Sequence, residues 1–535
     1  MTQLYDNLNA GMSVEERYQA YHSARERVLS RARDHVSYTL PRLLESGWER
    51  QIPGVEDADL VELFWHKPGL NAVKLANKLT NAIFPANGTP FFEWEASEAL
   101  RELKRTDQIS DIEWEELERM RVSEENAIHS DIQASNFREQ LFLSVLKIII
   151  MPNDLLFMDD DGKFMSYRID QFVIRRDIKG DIAEIITRDW VEADLLDDTL
   201  SKIPKKNGST QYDRYEPLYT EIKRDNKTKN WTVKREFRDT VYDTGSYKKD
   251  ELPYFILQWN LSTGEDYGTS LVEQVFGLIR SGEATAKALV EGLMAGSQGN
   301  IGVSPTGITD IADLEDRPNW SYVSAREEDV FTIQANTSGS VVTAEAALRM
   351  MEEDLDEAFM TNASARLQGE RVTAFQVDNI ISEQDEALGG MLTHTAEQVQ
   401  RPVINRHIVL RTRSNKMPPA FKKLLDAGSY KLKIKTGLDA LGRQLDTLRL
   451  QAVGNTLASL GGAGQFGVEI LEKLNGHTFA EDTIKNSGLD VERYAKPLEE
   501  ILQQRQAQQQ QAIAAQAAQQ GIQSAGKIAE GQLGG

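Results

Sequence analysis

TNASARLQGERVT, residues 361–373, is a short polar loop that joins two stretches of helical pattern. The stretch before it, 343–360, carries six acidic side chains, and the stretch after it runs from 374 to about 413. The loop itself carries two arginines, Arg366 and Arg371. Two helices joined by an arginine-bearing loop make a poor enzyme pocket. They fit an element that is repeated in a ring around a hole through which a polyanion passes.

The bulk composition bounds the size and the partners of the protein. Its 535 residues exceed a single hydrophobic core, so roughly two to four subdomains are expected. The formal net charge of -22 argues against tight equilibrium binding of nucleic acid, because phosphate contacts need lysine and arginine. An acidic wall can still surround DNA without gripping it, which predicts passage rather than recognition. The absence of cysteine excludes disulfides, thiolate metal sites and a thiol nucleophile.

The chain shows neither a signal peptide nor a clean membrane span. Its first residues, MTQLYDNLNAGMSVEERY, lack a charged segment followed by an apolar run. The most apolar stretch, 141–158, is interrupted by Lys147, Pro152 and Asp154. We therefore expect no membrane partner and interpret this stretch as a core helix followed by a buried strand.

The first third of the chain is predicted to be mainly helical. Residues 13–50 form a helical pattern in which Ser13 is the expected N-cap and Glu16 completes a capping box. The other predicted elements of this part are helices over 70–84 and 98–151 and a strand over 91–96.

Residues 154–260 form an antiparallel sheet region in this interpretation. They contain short β-branched and aromatic stretches separated by turn signals. The stretches are LLFM at 155–158, KFMSYRIDQFVIRRD at 163–177, DIAEIITRDW at 181–190, REFRDTVYD at 235–243 and PYFILQW at 253–259. Residues 204–214 and 224–230 are predicted polar loops, and Asp161–Gly162 is a predicted hairpin turn.

The chain turns helical again over 270–295, where glycines interrupt the pattern. Gly277, Gly282 and Gly292 would allow neighbouring helices to approach closely, although a loosely helical segment with breaks remains an alternative. Short strand-like pieces, IGVSP, SYVSA and DVFTIQ, follow within 297–342.

The C-terminal part combines one predicted strand with further helices. Over 430–435 the sequence YKLKIK alternates, and its lysines favour an edge strand protected from sheet-to-sheet aggregation over a DNA contact. Residues 444–475 and 481–503 have helical patterns, and 501–535 is a low-complexity tail rich in glutamine and alanine.

Several enzyme-like patterns lack the context that their chemistry needs. GAGQFG at 462–467 follows a helical stretch rather than a strand, and GIQSAGK at 521–527 lacks the Ser or Thr that binds Mg²⁺. Asp154, Asp161 and Lys163 resemble a nuclease signature, but the hairpin turn accounts for Asp161. The seven histidines are scattered without ligand spacing. We expect no catalytic residue, no metal and no cofactor.

Six motifs resemble the portal, or head-to-tail connector, proteins of short-tailed bacteriophages of the autographivirus type. They occur in the expected order and are ITRDW at 186–190, EDYGTSLVEQVFGLIRSGEA at 265–284, GITD at 307–310, GERVTA at 369–374, ALGG at 387–390 and TGLDALGR at 436–443. The resemblance implies an α+β portal fold, mainly helical with antiparallel β regions, that assembles into a homododecameric ring.

The resemblance also implies a division of the chain into portal regions. Its parts are a wing over 1–267, a first stem helix over 268–296, a clip over 297–342, a second stem helix over 343–360, a tunnel loop over 361–373, a wing return over 374–443 and a crown with the tail over 444–535.

The function implied is a non-enzymatic conduit for double-stranded DNA at one capsid vertex of the virion, assembled in the host cytoplasm. The ring would nucleate head assembly and pass DNA during packaging and ejection. The implied partners are further copies of the chain, DNA, terminase, major capsid and scaffolding proteins, tail adaptor or nozzle proteins, and internal core proteins. The alternatives are a nuclease or ATPase of the packaging pathway and another ring-forming tail adaptor.

Two sets of residues would line the channel. The acidic stem surface comprises Glu345, Glu352, Glu353 and Asp356, which would repel DNA and keep it sliding. The tunnel loop would present Arg366, Gln368, Gly369, Glu370 and Arg371. In the family an arginine lies closer to the glycine, where this chain has Leu367. Arg371 has a structural alternative, an ion pair with Glu370 or with a carboxylate of a neighbour.

Overall fold

The structure of the protein is a computed structural model. It describes residues 12–44, 61–85, 91–106, 108–196, 200–204, 215–225, 227–248, 251–297, 300–305, 328–333, 338–361 and 394–434. All of them except Pro85 belong to one compact unit that spans 1–84 and 90–436. The predictions for residues 362–373, for SYVSA, for the two glycine-rich motifs and for the helices and tail beyond 443 lie outside the described residues.

The described chain mixes helices with antiparallel sheets, as predicted. Its helices are α1 Val14–Ala24, α2 Glu26–Ser37, α3 Lys67–Ile83, α4 Glu98–Arg105, α5 Asp111–Ala134, α6 Phe137–Ile150, α7 Leu271–Ser297, α8 Ser338–Ala358, α9 Arg401–Arg413 and α10 Pro419–Asp426. Its strands are β1 Phe92–Ala96, β2 Asn153–Met158, β3 Phe164–Tyr167, β4 Phe172–Arg176, β5 Ile182–Glu192, β6 Tyr215–Arg224, β7 Trp231–Phe237, β8 Thr240–Tyr247, β9 Tyr254–Gln258, β10 Asn300–Val303, β11 Val330–Ile333 and β12 Tyr430–Ile434.

Local capping signals set the starts of several helices. The predicted capping box of α1 is confirmed: Ser13 N donates to Glu16 Oε2 at 3.0 Å, and Glu16 N donates to Ser13 Oγ at 3.1 Å. A second capping box, Ser110 with Glu113, starts α5 and divides the predicted helix over 98–151 into α4, α5 and α6. The pattern over 13–50 is likewise divided, since α2 ends at Ser37.

The apolar stretch over 141–158 is a core helix followed by a buried strand, as predicted. Residues 144–150 of α6 are all buried, and β2 lies in a three-stranded antiparallel sheet of order β3-β2-β9. Gly162, with a φ of 83°, forms the predicted turn between β2 and β3. In the part of the chain that the structure describes, no helix is long and apolar enough to cross a membrane.

A five-stranded antiparallel meander, in the order β4-β5-β6-β7-β8, forms the largest sheet. It differs from the sequence interpretation in three places. KFMSYRIDQFVIRRD is divided between β3 and β4, which lie in different sheets. β6 was not predicted, and REFRDTVYD is two strands joined by a tight turn, with positive φ values at Arg238 and Asp239. α1 packs on this sheet through Arg17, whose Nη1 donates to Glu184 Oε1 at 2.8 Å and to Glu221 Oε1 at 2.7 Å.

The remaining described strands form two-stranded ladders. β10 and β11, which lie between α7 and α8 in the sequence, pair with each other. This pairing confirms IGVSP and DVFTIQ as strand-forming pieces. β12 pairs with β1, and Lys433 Nζ lies 3.8 Å from Glu93 Oε1. The lysines of β12 therefore belong to a two-stranded sheet, in agreement with the edge-strand prediction.

Candidate functional site: the α7–α8 helix pair and its strap

Helices α7 and α8 pack against each other as an antiparallel pair. A Cβ on Gly292 of α7 would lie 3.8 Å from Val341 of α8, near the start of that helix. Toward the other end, Glu283 of α7 and Glu352 of α8 both bind Trp65. Because α7 is continuous from Leu271 to Ser297, the alternative of a segment with breaks is wrong.

Trp65 links the two helices. It belongs to residues 61–71, here called the strap. The backbone N of Trp65 donates to Glu283 Oε2 at 2.9 Å, and its indole Nε1 donates to Glu352 Oε1 at 3.4 Å. Trp65 is only 5% exposed, and a Cβ on Gly282 would lie 2.1 Å from its indole. Gly282 is therefore a site of close packing, but against the strap of the same chain.

The second link between strap and α8 is centred on Asp356. Its carboxylate accepts from Lys67 Nζ at 2.9 Å, from Asn71 Nδ2 at 2.7 Å and from Thr361 Oγ1 at 3.1 Å. Burial alone would raise the pKa of Asp356, but the hydrogen bonds from Lys67 and Asn71 and the charge of Lys67 lower that pKa below its ordinary value. Asp356 is thus an anionic anchor for the end of α8.

The anchor holds the first residue of the predicted tunnel loop. Thr361 N donates to Asp356 O at 2.9 Å and Met360 N donates to Glu357 O at 3.0 Å, with a φ of 53° at Met360. This is a Schellman ending, which usually has glycine or asparagine at the left-handed position. The same pair of hydrogen bonds ends α9 at Asn415 and α10 at Gly428.

The six acidic residues of α8 fall into two groups. Glu352 and Asp356 are half-buried and face the strap. The exposed group is Glu345, Glu353, Asp354 and Glu357. Glu345 accepts a hydrogen bond from Arg349 at 2.6 Å, and the other three have no side-chain partner among the described residues. Half of the predicted acidic surface, Glu352 and Asp356, is thus engaged within the chain.

The other predicted site residues divide between described and undescribed positions. Gly277 is exposed, and a Cβ there would meet nothing within 4 Å. The five tunnel-loop residues, Arg366, Gln368, Gly369, Glu370 and Arg371, lie outside the described residues. Sequence reasoning missed the strap residues, because Trp65 and Lys67 lie more than 200 positions from their partners. A tryptophan beside a helix-starting Lys-Pro was the only local signal.

The nuclease-like carboxylate serves the core. Asp154 is fully buried, its carboxylate accepts from Ser166 Oγ at 2.9 Å, and Lys147 Nζ lies 3.2 Å away. Asp161 stands at the hairpin turn. Among the described residues, no group of three or more His, Asp or Glu side chains could hold a metal ion.

Comparison with known proteins gives a consistent result. The profile of the family described as "Bacteriophage head to tail connecting protein" matches residues 12–493. The portal protein of Enterobacteria phage T3 is 27% identical over 439 residues, which is 81% of this chain and 79% of that protein. The portal protein of Escherichia phage T7 is 26% identical over 446 residues, with coverages of 81% and 79%. The portal protein of Pseudomonas phage phiKMV is 26% identical over 510 residues, with coverages of 92% and 94%.

The solved structures add a more distant match. A chain from the neck of an empty GTA particle, computed with C6 symmetry, is 11% identical. It covers 72% of this chain and 86% of its own length, with a TM-score of 0.35. A likeness this distant carries no argument about function.

Proposed function

The chain belongs to the family of bacteriophage head-to-tail connecting proteins, and from that premise we propose that it forms a homododecameric portal ring at one capsid vertex. Double-stranded DNA would pass through the ring inward during packaging and outward during ejection. The single observation that carries the proposal within the described chain is the α7–α8 pair. It offers two long antiparallel helices, an exposed acidic group and an anchored connection to the arginine-bearing loop.

The proposed regions of the ring follow the described elements. α7 and α8 are the stem helices, and the β10–β11 ladder belongs to the clip over 297–342. The wing comprises 1–267 and 374–443, the tunnel loop is 361–373, and the crown is 444–535. The strap belongs to the wing in this assignment, so Trp65 and Asp356 join the wing to the stem.

The charge of the stem suits passage of DNA. In a single copy Glu345, Glu353, Asp354 and Glu357 are exposed on α8, and those that face the channel of the ring would repel phosphate rather than bind it. Arg366 and Arg371 would interrupt this surface with rings of positive charge. Each exposed phosphate contact contributes at most about 1 kcal/mol, but a ring repeats every contact, so the loop would act as a valve.

The proposed role is structural rather than enzymatic. The ring is a virion component at the capsid vertex, assembled in the host cytoplasm. It would nucleate the head with major capsid and scaffolding proteins, dock terminase and later the tail adaptor or nozzle proteins, and contact internal core proteins. ATP hydrolysis for packaging would belong to the terminase.

Electron microscopy and native mass spectrometry of the purified full chain test the proposal. We expect closed rings with a central hole and a mass that is a fixed multiple of 60.2 kDa. A population of monomers or dimers at micromolar concentration, without rings under any salt condition, would refute the proposed function.

A further inference from the structure

Each helix of the α7–α8 pair has an exposed stripe, and the strap reaches the one on α7 at Lys287, whose Nζ lies 5.9 Å from the centre of the Phe64 ring. On α7 the stripe, here called the α7 flank, is Arg280, Ala284, Lys287 and Glu291. On α8 the stripe, here called the α8 flank, is Ala346, Met350, Glu353 and Glu357. Both sets follow the spacing i, i+4, i+7 and i+11, which places them on one face of a helix.

The two flanks lie at the same level along the pair. Gly292 lies level with Val341, and Glu283 lies level with Glu352 through their shared contact with Trp65. In an antiparallel pair, each step forward on one helix is a step back on the other. Ala284 is therefore level with Met350. By the same counting, Arg280 is level with the space between Glu353 and Glu357.

The chemistry of the two flanks is complementary level by level. Met350, 67% exposed, is a large apolar side chain opposite the small side chain of Ala284. Arg280 is exposed and has no ion-pair partner among the described residues, and neither do Glu353 and Glu357. A flexible methionine fills an irregular gap well, and opposite charges fix the register of an interface. Neither flank can meet the other within one chain, because each faces away from the contact between the helices.

Ring symmetry supplies the missing partner, and this step rests on the proposed function. Rotation about the axis of a ring moves a copy sideways without changing its height. The α7 of one copy then lies beside the α8 of the next copy. The residues that are level with each other across this contact are nearly the same as those that are level within one copy. A tilt of the helices shifts that level by about one helical turn, which is about 5.4 Å.

We propose that the α7 flank of each copy packs against the α8 flank of a second copy, with Met350 over Ala284 and Arg280 paired with Glu353 and Glu357. The contact is heterologous, so it continues around the ring until the ring closes. Asp354 lies about 100° around the helix from Glu353. It therefore stays off this contact and remains exposed.

Introduced cysteines test the contact directly, because the natural chain has none. We expect the double variant Ala284→Cys with Met350→Cys, oxidised in the assembled ring, to give a ladder of covalent oligomers in non-reducing electrophoresis. Double variants that pair Ala284→Cys with Ala346→Cys or with Glu353→Cys sample one turn on either side, because a disulfide needs Cβ atoms about 3.5–4.5 Å apart.

The single variants are the matched controls. Each alone should remain monomeric after oxidation, and a mixed ring of the two single variants should give dimers only. Covalent dimers of Ala284→Cys alone would show a self-complementary contact and overturn the inference. Closed rings in microscopy without cross-links in any of the three double variants would overturn it too, and would leave the proposed function standing.

Charge reversal gives an independent measurement of the same contact. We expect Arg280→Glu to weaken each contact between copies about fivefold, seen as a higher protein concentration needed for half-assembly. Combining Arg280→Glu with Glu353→Arg should restore assembly. Asp354→Arg is the control, since it changes the same amount of charge on α8 off the flank and should leave assembly unchanged. Equal effects of Glu353→Arg and Asp354→Arg, with no rescue in the combined variant, would refute the pairing.

Discussion

The packing of Trp65 against Gly282 gives the sharpest test of the strap. In the substitution Gly282→Ala, the new Cβ would lie 2.1, 2.5 and 2.5 Å from three ring atoms of Trp65. The Trp65 side chain cannot easily move aside, because the backbone N of Trp65 donates a hydrogen bond to Glu283 of α7 and its indole Nε1 donates one to Glu352 of α8. Overpacking of this kind costs about 1–3 kcal/mol.

Gly277→Ala is the matched control for this substitution. It lies in the same helix, and a Cβ there would meet nothing within 4 Å. Alanine in a helix interior is favoured over glycine by about 1 kcal/mol at both positions, so this gain cancels when the two variants are compared. The difference between them isolates the contact with Trp65, and we expect Gly282→Ala to be less stable than Gly277→Ala by about 1–3 kcal/mol.

Hydrogen exchange of peptides from α7 and α8 measures this difference locally. All variants should be compared at one protein concentration, because assembly stabilises the folded chain. Adding Trp65→Leu to each variant completes a double-mutant cycle. The smaller leucine leaves room for the new Cβ, so it should reduce the loss of stability caused by Gly282→Ala. It should not change the effect of Gly277→Ala on stability. Equal protection of α7 in Gly282→Ala and Gly277→Ala would show that Trp65 does not pack on Gly282.

Three further predictions concern the core, the pH dependence and the loop. Lys147→Met removes the ion pair of the fully buried Asp154 and should lower the free energy of unfolding by about 3–5 kcal/mol, measured by the urea midpoint; a change within error would mean that the pair does not stabilise the fold. Burial raises the pKa of Asp189 from 3.8 to about 6, so the folded state binds more protons than the unfolded state between about pH 4 and 6, and stability falls as pH rises through that window. Asp189→Asn cannot lose stability in this way, so its free energy of unfolding relative to that of the wild type should rise by up to about 3 kcal/mol between pH 4 and 7.5. Thermal melts that give the two proteins parallel pH profiles would contradict this prediction. Arg371→Ala should permit ring and prohead assembly yet lower DNA packaging or retention, and normal packaging together with normal retention would remove the valve from the proposed function.

Local signals carried most of the fold that could be predicted. The capping box at Ser13, the turn at Gly162 and the alternation over 430–435 each depend on residues within a few positions of one another, and all three are present in the structure. The positions of glycines in α7 were less informative. Their effect depends on what a Cβ would touch, which is Trp65 at Gly282 and nothing at Gly277.

Strand β6 shows why other elements could not be predicted. Its sequence contains Pro217, Glu221 and Lys223, which is unusual for a largely buried strand. Glu221 is buried because Arg17, 204 positions earlier, donates to it from α1. A charged side chain is buried only when it is paired. Strand β6 could therefore be predicted only together with helix α1, which is distant from it in sequence.

The acidic pattern of α8 illustrates the same limit at the candidate site. In the sequence the six carboxylates lie on one predicted helix. Their spacing suggested a single acidic surface made of Glu345, Glu352, Glu353 and Asp356. The strap separates them, because Trp65 engages Glu352 while Lys67 and Asn71 engage Asp356. Neutralising either inward carboxylate should therefore change the attachment of α8 to the strap. Neutralising Asp354, which has no partner among the described residues, should change only the electrostatic repulsion of DNA that passes through the ring. In our proposals the acidic stem thus has separable roles. Glu352 and Asp356 hold their own helix in place, Glu353 and Glu357 would pair with Arg280 of a second copy, and Asp354 would be left to repel a polyanion.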